Sequence, residues 1–289
     1  EQILKSAINL TKKNMYGTHP YALAALGTEQ SVSKLTPKDV VEFYKSVAVP
    51  NNMVLAVFGD VDPKQIRQIV EKDLGDLKPG EMPSPDLTPP PLAKSVRAVQ
   101  NEDKEQAVII VSYPAVDLKN PDRFAIEVMS TAVSGMGSRM FSRLRDQLAL
   151  CYYVGVNEFL GLAPGFIYAY IGTEPSKADQ AEKEILTEID KVRISGITAE
   201  ELAKAKNMIL GERQMQRQNI GELATQSALD ELYGLGFNAY KEQEAKYQAV
   251  TLDDVKKAAQ KYLSKDKFVV AVVRPKEPTR GHGDTGTQR

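Results

Sequence analysis

The chain has one cysteine, two histidines and no tryptophan in 289 residues, and the shortages exclude several chemistries. A lone Cys151 cannot form an intrachain disulfide, so cysteine usage leaves the redox compartment open. The two histidines are followed by the wrong partners for a helical zinc motif of the form H-x-x-E-H. His19 precedes Pro-Tyr-Ala-Leu and His282 precedes Gly-Asp-Thr-Gly. No apolar run approaches the ~20 residues of a membrane span. Charge of one sign is also missing: 37 basic and 38 acidic side chains give a net charge of −1, and without a basic stripe nucleic acid is not the main partner. What is present, 42% hydrophobic and 26% charged residues, is enough for roughly two domains with real cores.

Periodicity orders these residues. Ile3, Leu4, Ala7, Ile8 and Thr11 follow helical spacing from the first residues onward, with no capping residue before them. After Gly17-Thr-His-Pro-Tyr21, Thr36 begins a helix, Met53 to Gly59 reads as a strand, and Pro63 to about Leu77 as a helix. Lys78 to Leu92 then carries six prolines, a stiff extended linker that cannot enter a sheet interior. Strands are expected over Ser95 to Asn101 and Gln106 to Tyr113. A helix is expected from Asn120-Pro121 to the small-residue stretch Ser134-Gly-Met-Gly137. A helix from Ser138, strands near Tyr152 to Phe159 and Phe166 to Gly172, and four further helices lead to a closing strand, Phe268 to Val273. Strands followed by clustered helices predict an α+β sandwich with an antiparallel-rich sheet.

An internal repeat divides the chain. At an offset of 215 residues Thr36-Pro-Lys-Asp39-Val40 falls on Thr251-Leu-Asp-Asp254-Val255, and Val54-Leu-Ala56-Val57 falls on Val269-Val-Ala271-Val272. Each is a Thr N-cap with an acidic residue three positions on, then a helix, then an apolar strand. The same unit ends twice, which implies duplicated α/β sandwich domains. The expected organisation is the C-terminal part of a first domain over 1–78, a Pro-rich linker over 79–93, a complete second domain over 94–275 and a disordered tail over 276–289. By the repeat, the first domain would begin about 120 residues before Glu1, in a subunit of roughly 400 residues.

The stretch Ser138 to Val156 reads SRMFSRLRDQLALCYYVGV and sets Arg145 and Tyr152 seven residues apart across a helix-to-strand turn. It resembles the pitrilysin/insulinase metallopeptidases, the inverted-zincin family that includes mitochondrial processing peptidases. There a segment S-R-L-F-x-x-L/I-R is followed seven residues later by Tyr and closes over a bound peptide. The resemblance implies two homologous domains per subunit and zinc on H-x-x-E-H early in the first, with a further Glu downstream as ligand. It implies that Arg145 and Tyr152 face the scissile carbonyl, where a guanidinium and a phenol favour the developing oxyanion over the substrate. Two positions depart from the pattern. Ala149 stands where bacterial members often have Gly, and His19-Pro-Tyr21 is followed by Ala22 rather than Gly.

The expected activity is therefore peptide-bond hydrolysis by a zinc endopeptidase or oligopeptidase whose metal this chain does not bind, leaving the chain alone inactive. Zinc would belong to the complete enzyme or a partner. Implied partners are a peptide or unfolded polypeptide and a zinc-bearing domain or subunit, in a dimer. Two alternatives stand beside this: a naturally zinc-free partner subunit of a two-chain peptidase, and a scaffold like the core subunits of respiratory complex III. Other residues read as structural. His19 has no catalytic partner, Cys151 opens an apolar strand, Gly135 and Gly137 end a helix, and the segment Ser176 to Arg193, with Glu184, Glu188, Lys183 and Lys191, is a solvated helix face.

Overall fold

A computed structural model describes residues 2–81 and 87–276. The expected tail, apart from Lys276, lies outside the described residues, as do Pro83 and Pro85 of the linker. Helices α1 (Gln2–Tyr16), α2 (Glu29–Val32), α3 (Pro37–Val47) and α4 (Pro63–Leu74) precede strands β1 (Val96–Glu102) and β2 (Ala107–Pro114). Then come α5 (Arg123–Val133), α6 (Arg139–Phe141), β3 (Tyr153–Phe159) and β4 (Phe166–Thr173). Helices α7 (Ala178–Ser195), α8 (Ala199–Arg217), α9 (Ile220–Leu232), α10 (Ala239–Ala249) and α11 (Leu252–Tyr262) lead to β5 (Val269–Pro275).

The five strands form one sheet in the order β1-β5-β2-β4-β3. β1 and β5 run parallel, and every other pairing is antiparallel, so the sheet is mixed. β2 shows why it is central. Its run Ala-Val-Ile-Ile-Val is buried on both faces, and β-branched side chains suit a pleated surface covered on both sides. Ile109 and Val111 face the main core with α5, α7 and α11, whereas Val108 and Ile110 face α1 on the back. Burying each such side chain contributes roughly 1.5–3 kcal/mol, and Ile109→Ala in this close-packed layer would cost about 2–5 kcal/mol.

α1 covers the back face with residues at a spacing of four. Ile3, Ala7, Thr11 and Met15 are all buried, since i and i+4 share one side of a helix. Gly17, at φ 58°, terminates it, and its amide donates to the Lys13 carbonyl at 3.2 Å. A helix that the repeat would assign to a first domain thus lies on the sheet formed by β1 to β5.

Four local expectations are corrected. Met53 to Gly59 is not a strand: it pairs with nothing among the described residues, and Met53, Leu55 and Val57 are exposed. A strand needs a neighbour's amides as well as its own alternation. Five helices, not four, lie between β4 and β5. The Asn219 side chain accepts from the amides of Gly221 and Glu222 and starts α9 afresh after α8. α5 begins at Arg123 rather than at Pro121, because Asn120 Oδ1 accepts from the Asp122 amide and holds a turn there. Glu188 is not solvated: it is 2% exposed and pairs with Lys191 at 2.6 Å.

Candidate functional site

The segment carrying Arg145 and Tyr152 is anchored before it is exposed. Ser138 caps α6, its hydroxyl accepting from the Phe141 amide at 3.2 Å. Arg139 clamps Glu201 at the start of α8 through two bonds of 2.8 and 2.6 Å, and donates to the Gly196 carbonyl at 3.0 Å. A bidentate, half-buried pair of this kind fixes direction as well as distance. Met140, Leu144 and Leu150 are buried in the core beneath. Above this floor the chain widens to a π-helical turn over Ser142–Gln147, with the Leu148 amide donating to the Arg143 carbonyl at 3.2 Å. Such turns cost hydrogen-bond geometry and are found frequently at functional sites.

Ala149 then reverses the chain with φ 48°, the one non-glycine residue of positive φ among those described. Its amide donates to the Arg145 carbonyl at 3.1 Å, and its carbonyl accepts from Lys177 at 3.3 Å. The backbone here does what a glycine would do without strain, which accounts for the departure from the motif. The Leu150 carbonyl accepts from the Thr173 hydroxyl, and the Tyr152 amide donates to the Gly172 carbonyl at 2.9 Å, so the turn re-enters the sheet beside β4.

Both candidate side chains are exposed above this frame. The Arg145 guanidinium lies 4.8 Å from the Phe141 ring centre, a cation–π contact that limits its rotation and leaves its N–H donors open. Tyr152 is 52% exposed. Neither side chain has a hydrogen-bonding partner among the described residues. Between them Cys151 is half-buried, and burial pushes its thiol up to about 11, against the opposing pull of Arg145. It is a packed thiol, not a nucleophile. Gly135, at φ 84°, follows the end of α5, and the Ser134 hydroxyl accepts from the Val156 amide at 3.1 Å, tying that turn to the sheet edge.

The described residues do not fit a zinc ion. His19 is buried, with Nδ1 accepting from the Tyr21 amide at 3.1 Å and Nε2 3.3 Å from the Leu87 carbonyl, and it packs edge-on to Tyr21. No group of three or more His, Cys, Asp or Glu side chains among the described residues is placed to hold a metal. No described helix is long and apolar enough to cross a membrane.

A second polar assembly escapes motif reading because its members lie far apart in sequence. Tyr247 donates to Glu127, and Arg213 donates to the Tyr247 hydroxyl at 2.8 Å and to Gln243. Arg123 lies 3.4 Å from Glu127 on the same helix face. Beside them, burial pushes the Glu158 carboxyl up to about 7, and the charge of Glu127 adds to it. These groups join α5, β3, α8 and α10.

The geometry is thus a mixed five-stranded sheet layered by helices, with Arg145 and Tyr152 exposed on the turn that leads into its edge strand β3. The profile of the family described as "Peptidase M16 inactive domain" matches residues 34–209, and the chain belongs to that family. It is 28% identical over 288 residues to an uncharacterized zinc protease of Streptomyces coelicolor, covering 95% of this chain and 62% of that protein. The chain therefore spans less than two thirds of that relative. The fold is that of a peptidase M16 inactive domain from Pseudomonas fluorescens, with TM-score 0.83, 22% identity and coverage of 95% of this chain and 65% of that one. A chain in complex III2 from Candida albicans has the same fold, with TM-score 0.76, 19% identity and coverage of 94% and 66%.

Proposed function

We propose that this chain is the zinc-free, C-terminal half of a zinc-dependent endopeptidase or oligopeptidase subunit, and that Arg145 and Tyr152 bind the scissile peptide carbonyl. The observation that carries this reading is the turn between them. A π-helical widening and a left-handed alanine both cost stability, and both fall in the short turn that carries Arg145 and leads to Tyr152. Together they hold a guanidinium and a phenol, both without hydrogen-bonding partners among the described residues, on one exposed turn.

The chemistry follows from charge. Attack on a peptide carbonyl moves negative charge onto its oxygen, and donors already aimed there stabilise that state more than the substrate. Arg145 supplies a fixed positive charge and Tyr152 a neutral donor. The cation–π contact with Phe141 pre-orients the guanidinium, lowering the entropy lost on binding. Zinc and the water-activating carboxylate belong to another domain or subunit of the assembly, and the substrate is a peptide or unfolded polypeptide held between the two halves. The domain reading extends to residues 1–78 as the end of the zinc-bearing domain and 79–93 as the linker.

The test uses the full-length protein, alone and with a zinc-bearing partner subunit. Arg145→Ala is expected to lower peptide turnover by ~10² to 10³, as loss of one oxyanion donor does, with an unchanged melting temperature. Wild-type turnover in that variant would overturn the assignment. Hydrolysis that appears only on mixing with the partner would assign the chain to a two-subunit peptidase.

A further inference from the structure

Five hydrogen bonds set the place of Arg145 relative to Tyr152. The Leu150 amide donates to the Leu144 carbonyl at 2.9 Å and the Ala149 amide to the Arg145 carbonyl at 3.1 Å, which holds the peptide groups on both sides of Arg145. The Tyr152 amide donates to the Gly172 carbonyl at 2.9 Å. Between these, the Thr173 hydroxyl donates to the Leu150 carbonyl at 2.5 Å and the Lys177 ammonium to the Ala149 carbonyl at 3.3 Å. Of the five, those two alone are made by side chains, and both side chains lie where the chain leaves β4 and enters α7.

Packing does not explain Thr173. β4 sets Ile167, Ala169 and Ile171 in the main core, and strand alternation puts Thr173 next on that face. It is fully buried. A valine would fill the same place with nearly the same shape and no hydroxyl to satisfy. The hydroxyl instead meets a need of the turn. β3 starts at Tyr153, paired with Gly172, so the ladder stops short of Leu150. Leu150 is itself buried, and a buried carbonyl needs a donor. Because threonine is branched at Cβ, its rotation is restricted and the bond holds one direction. Lys177 completes the brace from the solvent side. Its side chain is 39% exposed and is shared with Glu174 at 3.3 Å, which makes its hold the weaker of the two.

We propose that Thr173, with Lys177 as its weaker second, is a positioning residue for peptide hydrolysis. Being fully buried, it touches no substrate. It holds the Leu150 peptide, and through that peptide it fixes the spacing at which the Arg145 guanidinium and the Tyr152 phenol converge. The inference rests on the carbonyl-binding reading of that pair. Two donors stabilise a developing oxyanion together only when both reach the same oxygen, and the charge they answer is largest in the transition state. Loss of the hydroxyl frees the Leu150 carbonyl to turn, and the two donors drift apart. Misplacement on the scale of ~1 Å at a reacting centre costs on the order of 10²-fold in rate, so the effect falls on kcat rather than on KM.

The experiment measures kcat and KM for the full-length protein, with a zinc-bearing partner subunit where hydrolysis needs one, in Thr173→Val and Thr173→Ser, each alone and combined with Arg145→Ala. Thr173→Val is expected to lower kcat roughly 10- to 100-fold with KM within about twofold. Thr173→Ser keeps the hydroxyl and should recover most of that loss. In the Arg145→Ala background the loss should shrink to about threefold, since only Tyr152 is left to be placed. Three results would overturn the proposal: wild-type kcat in folded Thr173→Val, an equal loss in Thr173→Ser, and a loss that multiplies in full on top of Arg145→Ala. Should Thr173→Val not fold, Lys177→Met at the exposed end of the same brace decides. A fall in kcat of about threefold that vanishes in the Arg145→Ala background supports the proposal, and wild-type kcat overturns it. Arg145→Ala on its own separates the two readings. A loss there with none in Thr173→Val sinks the positioning role alone, whereas wild-type turnover in Arg145→Ala sinks the carbonyl-binding role on which it rests.

Discussion

Ala149 holds Arg145 by its backbone: the Ala149 amide donates to the Arg145 carbonyl at 3.1 Å while Ala149 itself sits at φ 48°. Left-handed backbone costs a residue with a Cβ roughly 1–2 kcal/mol, because that atom crowds the following carbonyl. Replacing Ala149 by glycine removes the crowding but adds about 0.4–1 kcal/mol of unfolded-chain entropy. Ala149→Gly is therefore expected to stabilise the protein by about 0.5–1 kcal/mol in urea denaturation. Ala149→Val, β-branched and stiffer, should lose about 1–2 kcal/mol. A glycine variant weaker than wild type would show that the turn is not left-handed.

Tyr152→Phe separates the two candidate donors. The ring keeps its packing and loses only the hydroxyl, which has no partner in the described structure, so stability should stay within about 0.5 kcal/mol. A hydrogen bond to a charged oxygen contributes about 1.5–3 kcal/mol, so turnover in the complete enzyme should fall roughly 10- to 100-fold, with KM changed little. A loss confined to KM would move Tyr152 from the developing oxyanion to substrate binding.

How much of this was legible in sequence depends on how local the cause is. The capping boxes at Thr36 and Thr251 are fixed by residues three apart, and both form as expected. β2 announces itself through five consecutive apolar residues. The motif located the Arg145 turn but not its construction, since a π-helical widening depends on how Leu144 and Leu150 meet a core assembled from distant elements. Glu188 was misplaced for a related reason. Charged spacing suggests a solvated face, yet the face of α7 that holds Ile185, Ile189 and Val192 also holds Glu188. Residues 53–59 failed as a strand because alternation specifies a face, and only a neighbouring strand specifies a ladder.

The network at Glu127 should behave as one unit. Arg213→Met removes the donor to both Tyr247 and Gln243 and leaves the half-buried Glu127 carboxylate short of positive charge. Breaking one side of such an assembly costs about 3–5 kcal/mol. Adding Glu127→Gln should restore part of that loss, giving a coupling energy of roughly 1–3 kcal/mol between the two sites in thermal denaturation. Simple additivity of the two losses would show that Arg213 stabilises through its packing over the Tyr247 ring instead.

Glu158 sets a pH dependence with a definite sign. Burial raises its carboxyl from 4.5 to about 7, so the folded chain keeps a proton that the unfolded chain has released. Below about pH 4.5 both states are protonated and the group is neutral to stability. Between pH 4.5 and 7 the unfolded state gains by ionising first, so stability falls as pH rises, and above pH 7 the loss is complete. At ~1.4 kcal/mol per unit the full effect is on the order of 3 kcal/mol. Glu158→Gln keeps the shape and cannot ionise. Denaturant titrations from pH 5 to 8 should show the wild type losing stability relative to the glutamine variant, which should be the more stable of the two at pH 8. Parallel pH profiles for the two proteins would mean that Glu158 is already ionised in the fold.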